Sequence, residues 1–249
     1  MATSHQQWNI PPIDLRLPEN EIHVWQASLE VPMAIIQQLH WLLAPQEVAK
    51  AERFYFEKDH NQYIVAHGLL RTLLGRYLNT DPRQLRFCSN AYGKPALQSP
   101  SHGTPLHFNL SHSAGLALYA FASCRQIGID VEYKRANVEY EEIAKYSFSP
   151  YENEVLRTLP ANLKFDAFFN CWTRKEAYIK ARGKGLSIPL DLFDVSLKPG
   201  EPAVLLQSRE DAQEVTRWSF QELAPKTGYA GALAVEGGGW HLRCWQWQG

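Results

Sequence analysis

Two acidic residues separated by one position lie in a stretch of alternating apolar residues, QIGIDVEY at positions 126–133. Side chains on a β-strand point alternately to its two faces, so Asp130 and Glu132 project the same way, with their Cα atoms roughly 7 Å apart. A carboxylate pair of this kind can hold a hard divalent cation such as Mg²⁺. A solvated strand face would show the same pattern, and both interpretations stay open at this point.

A third carboxylate falls within the apolar stripe of a helical segment, FDAFFNCWTRKEAYIKARGKG at positions 165–185. At about 100° per residue, Glu176 lies in the middle of that stripe. The apolar members of the stripe are Phe165, Phe168, Phe169, Trp172 and Ile179. A buried carboxylate is costly unless it is paired or bound to a metal, so the pattern predicts a cation beside Glu176. Lys180, one turn later, could instead form an ordinary helix salt bridge with it.

The same helix concentrates positive charge in a chain whose formal net charge is -1. Its basic residues are Arg174, Lys175, Lys180, Arg182 and Lys184. Such a cluster favours a ligand with several phosphate charges, with a solvated or nucleic-acid-binding basic helix as the alternative. The glycines at 183 and 185 are typical of a helix end, where backbone amides can also approach an anion.

Hydroxyl and imidazole groups end another predicted strand, LHFNLSHS at positions 106–113. The side chains of Ser111 and His112 could bind phosphate there. A nucleophilic serine is disfavoured, because adjacent strand residues point apart and no G-x-S-x-G motif accompanies them.

The elements that must position these groups follow an order that occurs twice. A strand from position 21 precedes helices at 32–44 and 45–57, a core helix at 61–79 and several short strands up to position 133. Helices return at about 138–146, 149–158 and 161–182, and four or five strands follow. The repeated order predicts two similar α+β halves, with a site between them.

The composition excludes several classes of protein. The chain has 249 residues, 45% of them hydrophobic, which is ample for a folded core. The balanced charge argues against a general nucleic-acid or membrane-surface binder. We expect the four separated cysteines to be reduced, and we expect a cytoplasmic, unexported protein, since there is no long apolar run and no basic-then-apolar N-terminal segment.

Three motifs occur in order along the second half of the chain. They are IGIDVE at 127–132, the pattern F-x3-W-x2-KEA-x2-K at 168–180, and GKGL at 183–186. In order and spacing they closely resemble the signature of the 4′-phosphopantetheinyl transferases. Segments 53–55 (RFY), 92–95 (YGKP) and 108–113 (FNLSHS) resemble the N-terminal motifs of the larger, Sfp-type bacterial branch. The resemblance covers about residues 20 to 235.

The resemblance implies a fold, a division of the chain and a reaction. The fold would be α+β, a pseudo-dimer of two similar α/β subdomains with coenzyme A bound between them. We expect an N-terminal half at 1–122 and a C-terminal half at 123–249 that carries the metal and catalytic motifs. A carrier-protein serine would attack the β-phosphate of coenzyme A, take up 4′-phosphopantetheine and release adenosine 3′,5′-bisphosphate.

The resemblance also implies roles for the acidic cluster. Asp130, Glu132 and Glu176 would bind Mg²⁺, which would hold the pyrophosphate oxygens. Glu176 would also accept the serine proton, directly or through a water, and Lys180 would neutralise or protonate the leaving phosphate.

Further residues would contact coenzyme A by the same resemblance. Those expected near its phosphates and adenine are Lys94, Ser111 and His112, the backbone near Tyr92, and Lys50 at the 3′-phosphate. Family members often carry a second basic residue where this chain has Glu47, so Arg53 could supply the missing cation. Lys50 and Arg53 could equally be surface residues.

The implied partners are acyl carrier proteins and the carrier domains of fatty acid, polyketide or nonribosomal peptide synthases. The protein is expected to act as a monomer, without nucleic acid or a membrane. The same fold without turnover would serve as a regulator that binds coenzyme A or carrier proteins, but the complete carboxylate set and Lys180 argue against that alternative.

Overall fold

The computed structural model describes residues 6–98 and 105–248. Its strands are β1 Glu21–Ser28, β2 Phe87–Ser89, β3 Pro95–Leu97, β4 Leu106–Ser113, β5 Leu116–Ser123, β6 Ile127–Tyr133, β7 Phe193–Val195, β8 Leu205–Ser208, β9 Trp218–Leu223, β10 Tyr229–Glu236 and β11 His241–Gln246. Its helices are α1 Met33–His40, α2 Pro45–Ala51, α3 Glu57–Leu78, α4 Tyr140–Ser147, α5 Pro150–Thr158, α6 Ala161–Arg182 and α7 Glu214–Arg217. This α+β content confirms the predicted fold class.

The first sheet has the strand order β11-β1-β5-β4, and helix α3 packs against it. Strand β5 is central and buried along its whole length. The side chains of Leu70, Leu73 and Leu74 on α3 join Trp25 and Phe121 from the sheet in one apolar core. The core helix predicted at 61–79 is therefore confirmed, although it begins earlier, at Glu57.

The helices at the start of the chain are shorter than the pattern predicts. Helix α1 ends at His40, because the chain must turn before Pro45, which occupies the first turn of α2. Ala44 is extended, with φ −75° and ψ 157°, as the residue before a proline prefers. Helix α2 ends at Ala51, earlier than the predicted helix 45–57. Phe56 is extended, with φ −92° and ψ 132°, and α3 begins directly after it.

The second sheet has the order β6-β10-β9, and helix α6 lies across it. The observed bounds of α6, Ala161–Arg182, coincide with the predicted helix. The helix ends at Gly183, whose φ of 70° is a left-handed conformation that glycine adopts at little cost. Helix α6 and strand β6 thus carry all three predicted carboxylates on neighbouring elements.

The two sheets meet at their edges, β4 of the first and β6 of the second. Strand β11 follows the second sheet in sequence but lies in the first sheet, parallel to β1. The division of the chain at residues 122 and 123 stays a prediction.

The four cysteines lie far apart along the described part of the chain. Cys88, Cys124, Cys171 and Cys244 are all free thiols. Within residues 6–98 and 105–248, no helix is long and apolar enough to cross a membrane.

Gly128 allows β6 to approach α6 closely, and this contact gives a first prediction. A Cβ at Gly128 would lie 2.1 Å from the carbonyl oxygen of Ala177 and 2.3 Å from the backbone nitrogen of Ala181, which cannot move aside alone. We expect Gly128→Ala to displace the helix and to lower the free energy of unfolding by about 3 kcal/mol. Urea unfolding measures this, with Gly238→Ala as the control, because a Cβ there meets only the Ser219 hydroxyl at 3.7 Å. Equal losses in the two variants would contradict the prediction.

Candidate active site

The paired carboxylates of β6 face the junction between the sheets. Asp130 is 2% exposed, and its Oδ1 accepts hydrogen bonds from Lys180 Nζ at 2.6 Å and Ser111 Oγ at 2.8 Å. Its Oδ2 is buried and has no hydrogen-bond partner among the described residues. Glu132 is half-buried and its Oε2 accepts a bond from Ser113 Oγ at 2.8 Å. The pair is therefore part of an interior polar cluster and not of a solvated strand face.

Glu176 lies on α6 one turn before Lys180. Its place in the middle of the apolar stripe predicts a buried side chain, but the side chain is only half-buried. The core is formed by neighbouring positions of the helix, including Ala177, Tyr178 and Ile179. Glu176 instead lies at the margin of the core, where a ligand can still reach it.

The three carboxylates and Lys180 influence one another electrostatically. Burial raises the pKa of Glu176, and repulsion from Asp130 and Glu132 adds to the effect, while Lys180 opposes it. Burial and the charge of Asp130 likewise raise the pKa of Glu132. Burial disfavours the charged form of Lys180, but attraction to Asp130, and then to the two glutamates, raises its pKa overall. The cluster has three acids and one base, so a further cation would stabilise it.

The donor set fits a hard divalent cation. Carboxylate oxygens are the ligands that Mg²⁺ prefers, and the unpartnered Oδ2 of Asp130 is a buried acceptor of that kind. In the part of the chain that the structure describes, no group of three or more His, Cys, Asp or Glu side chains is already arranged as a metal site. Lys180 occupies only Oδ1 of Asp130, so Oδ2 can accept a metal without displacing it.

The prediction that the five basic residues at 174–184 together bind a phosphate-bearing ligand was largely wrong. Lys175 is fully buried and forms an ion pair with Glu152 at 2.7 Å, and Arg174 is buried against Glu222 at 2.8 Å. Arg182 pairs with Glu214 at 3.0 Å. All three side chains are therefore paired with carboxylates of the same chain.

Lys94 and Tyr92 lie on the turn between β2 and β3, which reaches across to α6. Lys94 Nζ donates to the carbonyl oxygens of Ile127 at 2.9 Å and Ala181 at 3.2 Å, and burial lowers its pKa to about 8. Tyr92 is exposed, with its backbone N–H bonded to Asn90. A cavity of about 260 Å³ lies beside them; its lining includes Tyr92, Lys94, Asn109, Lys180, Gly183 and Gly185.

Ser111 and His112 point to opposite sides of β4. Ser111 faces the carboxylate cluster, where its hydroxyl contacts Asp130 and Lys180. His112 is exposed and lines a cavity of about 460 Å³ together with Glu47, His67 and Phe108. A binding role for either side chain towards phosphate stays a prediction.

Lys50 and Arg53 are both exposed near the end of α2. Lys50 Nζ lies 5.5 Å from the centre of the Tyr63 ring. Glu47 stands where the resemblance implies a basic residue. It accepts bonds from Arg71 Nε at 2.7 Å and from the backbone N–H of Ala44 at 2.8 Å. Glu47 therefore links the start of α2 to α3. The bond from Arg71 balances its charge, which explains why an acidic residue fits at this position.

His67 and Arg71 line or border the site but were not predicted from the sequence, because they lie on the core helix among apolar residues. His67 stacks on Tyr63 with ring centres 4.0 Å apart. Burial, followed by repulsion from Lys50, lowers the pKa of His67 to about 3. Glu47 lies 3.8 Å away, but its charge is already balanced by Arg71.

The depressed pKa of His67 gives a pH-dependent prediction. Below pH 6.5 the unfolded chain binds a proton at this histidine and the folded protein does not until about pH 3, so stability falls as the pH falls through this range. For this group alone the loss at pH 5 is about 2 kcal/mol. We expect His67→Gln to be less pH-sensitive than the wild type in urea unfolding at pH 7.5 and 5. His60→Gln, two turns earlier on α3, is the control, and equal pH sensitivity of the His67 variant and wild type would refute the assignment.

Both halves of the chain match known protein families. Residues 126–234 match a family described as the 4′-phosphopantetheinyl transferase superfamily, and residues 25–124 match one described as 4′-phosphopantetheinyl transferase, N-terminal. The chain is 40% identical over 240 residues to the 4′-phosphopantetheinyl transferase HetI of Nostoc sp., covering 96% of this chain and 98% of that protein.

Two further relatives cover less of the chain. The 4′-phosphopantetheinyl transferase Sfp of Bacillus subtilis is 37% identical over 155 residues, which are 62% of this chain and 66% of that protein. The L-aminoadipate-semialdehyde dehydrogenase-phosphopantetheinyl transferase of Homo sapiens is 29% identical over 200 residues, 73% of this chain and 65% of that protein.

Proposed function

The chain belongs to the 4′-phosphopantetheinyl transferase superfamily, and we propose that the carboxylate cluster between β4, β6 and α6 catalyses its transfer reaction with Mg²⁺. As a member of this family it is an enzyme that transfers 4′-phosphopantetheine from coenzyme A to carrier proteins. The observation that carries the proposed site is the cluster of Asp130, Glu132, Glu176 and Lys180, with one buried carboxylate oxygen left unpartnered.

We assign Asp130, Glu132 and Glu176 as the residues that would hold Mg²⁺. When bound, the ion would neutralise the charge of the pyrophosphate and orient it for attack. Ser111 and Lys180 bind Oδ1 of Asp130, so Oδ2 would be available to the ion.

The reaction moves one phosphoryl group between two oxygens. The hydroxyl oxygen of the carrier serine forms a bond to the β-phosphorus of coenzyme A. The bond from that phosphorus to the bridging oxygen breaks, and adenosine 3′,5′-bisphosphate leaves with the electron pair. Catalysis of such a step rests mainly on positioning and charge neutralisation.

Glu176 is the group we assign to the serine proton, either directly or through a water. In the metal-free protein burial raises the pKa of Glu176, and a carboxylate at this position can accept a proton. Lys180 is charged, since its pKa is raised, and it lies beside Asp130, where it can neutralise the phosphate that leaves.

Coenzyme A is proposed to lie along the 260 Å³ cavity, between the β2–β3 turn and the end of α6. Lys94 and the backbone at Tyr92 line this cavity. His112 opens onto the larger neighbouring cavity, and Lys50 and Arg53 are assigned to the 3′-phosphate. Lys94 would have to exchange its carbonyl partners for phosphate oxygens, and burial among neutral carbonyl groups makes that exchange favourable.

The test is a transfer assay on a panel of apo carrier proteins from fatty acid, polyketide and nonribosomal peptide synthases. With coenzyme A and Mg²⁺, intact-mass spectrometry should show the gain of one phosphopantetheine group on at least one carrier. The gain should disappear with EDTA and return with excess Mg²⁺. Turnover that survives EDTA would overturn the metal assignment, and no gain on any carrier would overturn the activity. The proposed monomeric state is tested by light scattering of the same preparation.

A further inference from the structure

Strands β4 and β6 run side by side at the junction, although they belong to different sheets. Side chains of β4 replace the missing backbone pairing. Asn109 Oδ1 accepts the N–H of Ile129 at 2.8 Å, Ser111 Oγ accepts that of Val131 at 3.3 Å, and Ser113 Oγ accepts that of Tyr133 at 3.1 Å. Three alternate residues of β4 are thus bonded to three alternate amides of β6, and this ladder fixes the position of β6.

The two serines of the ladder also bind the carboxylates of β6. Ser111 Oγ donates to Asp130 at 2.8 Å and Ser113 Oγ donates to Glu132 at 2.8 Å. A hydroxyl has one proton and two lone pairs, so it can accept an amide and donate to a carboxylate at once. Because the amide occupies a lone pair on one side, the proton of each serine is directed at the carboxylate.

The two carboxylates differ in how many groups hold them. Asp130 accepts hydrogen bonds from both Lys180 and Ser111. For Glu132, Ser113 is the single side-chain hydrogen-bond partner among the described residues. A half-buried glutamate has several side-chain rotamers available, so one well-placed hydroxyl decides which of them is populated.

Ser113 is itself held in place by its surroundings. The next residue, Ala114, has a left-handed φ of 44°, and its carbonyl oxygen accepts a hydrogen bond from Tyr229 Oη at 2.8 Å. The ring of Tyr229 packs edge-on against Tyr133, with ring centres 5.1 Å apart. The turn after β4 is therefore tied to both β6 and β10, and the Ser113 hydroxyl has a defined position.

We propose that Ser113 is a positioning residue that holds Glu132 in the orientation needed to bind the divalent cation. The proposal rests on the proposed metal site, and it adds a residue outside the set predicted from the sequence. Residues that orient metal ligands through hydrogen bonds typically contribute tenfold to a hundredfold to metal affinity.

The test measures metal binding without turnover, by electron paramagnetic resonance of Mn²⁺ added to the protein with coenzyme A and no carrier. Ser113→Ala should bind Mn²⁺ about tenfold more weakly than wild type. Ser113→Thr, which keeps the hydroxyl, should bind within about twofold of wild type. Ser123→Ala, a buried serine at the far end of β5, is the matched control and should bind like wild type.

Calorimetric titration of coenzyme A without metal separates positioning from general damage. Coenzyme A affinity should be unchanged in Ser113→Ala, and a parallel loss of coenzyme A and Mn²⁺ binding would overturn the proposal. Wild-type Mn²⁺ affinity in a folded Ser113→Ala variant would also overturn it. If that variant does not fold, Ser113→Val against Ser113→Thr compares the same shape with and without the hydroxyl. Absence of Mn²⁺ binding in the wild type would refute the metal site itself, and the proposal with it.

Discussion

Replacement of Asp130 by asparagine is expected to lower the rate of phosphopantetheine transfer by about a thousandfold. Asparagine keeps the shape of the side chain and can still accept the bond from Ser111. It removes the negative charge that holds Lys180 and the buried oxygen that we assign to Mg²⁺. Both losses act on the charge that develops on the phosphates during transfer. The measurement is the initial rate of carrier-protein modification at saturating coenzyme A and Mg²⁺.

The matched control for this change is Asp194→Asn. Asp194 is also a buried aspartate, 3% exposed, and its carboxylate binds Arg209 at 3.0 Å in the C-terminal half. We expect both variants to lose stability, since each removes a carboxylate that is hydrogen-bonded to a cation, but only Asp130→Asn to lose activity. A folded Asp130→Asn enzyme with more than about a tenth of wild-type activity would contradict the role of this carboxylate.

Replacement of Glu176 by glutamine is expected to have two opposite effects. Transfer should slow by at least about a hundredfold, because the assigned base and metal ligand is lost. The metal-free protein should become more stable, because a neutral amide ends the repulsion from Asp130 and Glu132 and removes a charge that burial disfavours. Thermal unfolding in EDTA measures the second effect. Addition of Mg²⁺ and coenzyme A should stabilise wild type more than the variant.

The contribution of Glu176 to the stability of the metal-free protein depends on pH. The pKa of Glu176 is raised in the folded state, so its ionised form destabilises the protein at neutral pH and the penalty disappears as the pH falls through the folded pKa. Glu176→Gln should lack this component. Glu154→Gln is the control on α5, because hydrogen bonding from Arg157 lowers the pKa of Glu154, and its amide variant should gain no stability. A Glu176 variant that is less stable than wild type in EDTA would contradict the account.

The predictions from the sequence were best where the carboxylates lie in a strongly periodic strand or helix. The period of β6 places Asp130 and Glu132 on one face, and the structure finds both in one polar cluster. The helix around Glu176 has the predicted bounds, 161–182, because a long periodic pattern ends at glycine. Its relation to β6 also depends on Gly128, whose missing side chain admits the helix backbone.

The partners of buried charges could not be predicted, because they come from distant parts of the chain. Lys175 looked like a ligand-binding cation, yet it pairs with Glu152, which is held by the start of α5. Arg174 pairs with Glu222, which belongs to β9. Periodicity tells which face of a helix a residue occupies, but not which remote strand brings a counter-charge to it.

The sequence contains a pattern typical of the ladder between β4 and β6, but Ser111, one of its residues, was predicted to bind phosphate instead. The alternation of Asn109, Ser111 and Ser113 on β4 is strictly period two, which is the spacing needed to bond the alternate amides of a neighbouring strand. Ser111 was assigned to phosphate, and in the structure its hydroxyl contacts Asp130 and Lys180. Strand periodicity alone does not show that β6 is the neighbour.

The most direct test of the account is the intact mass of an apo carrier protein incubated with coenzyme A, Mg²⁺ and one of three enzymes: wild type, Asp130→Asn or Asp194→Asn. We expect wild type and Asp194→Asn to add one phosphopantetheine group to the carrier serine, and Asp130→Asn to leave the carrier unmodified over the same time. Equal modification by all three folded enzymes would contradict the claim that the β6 carboxylates carry out the transfer.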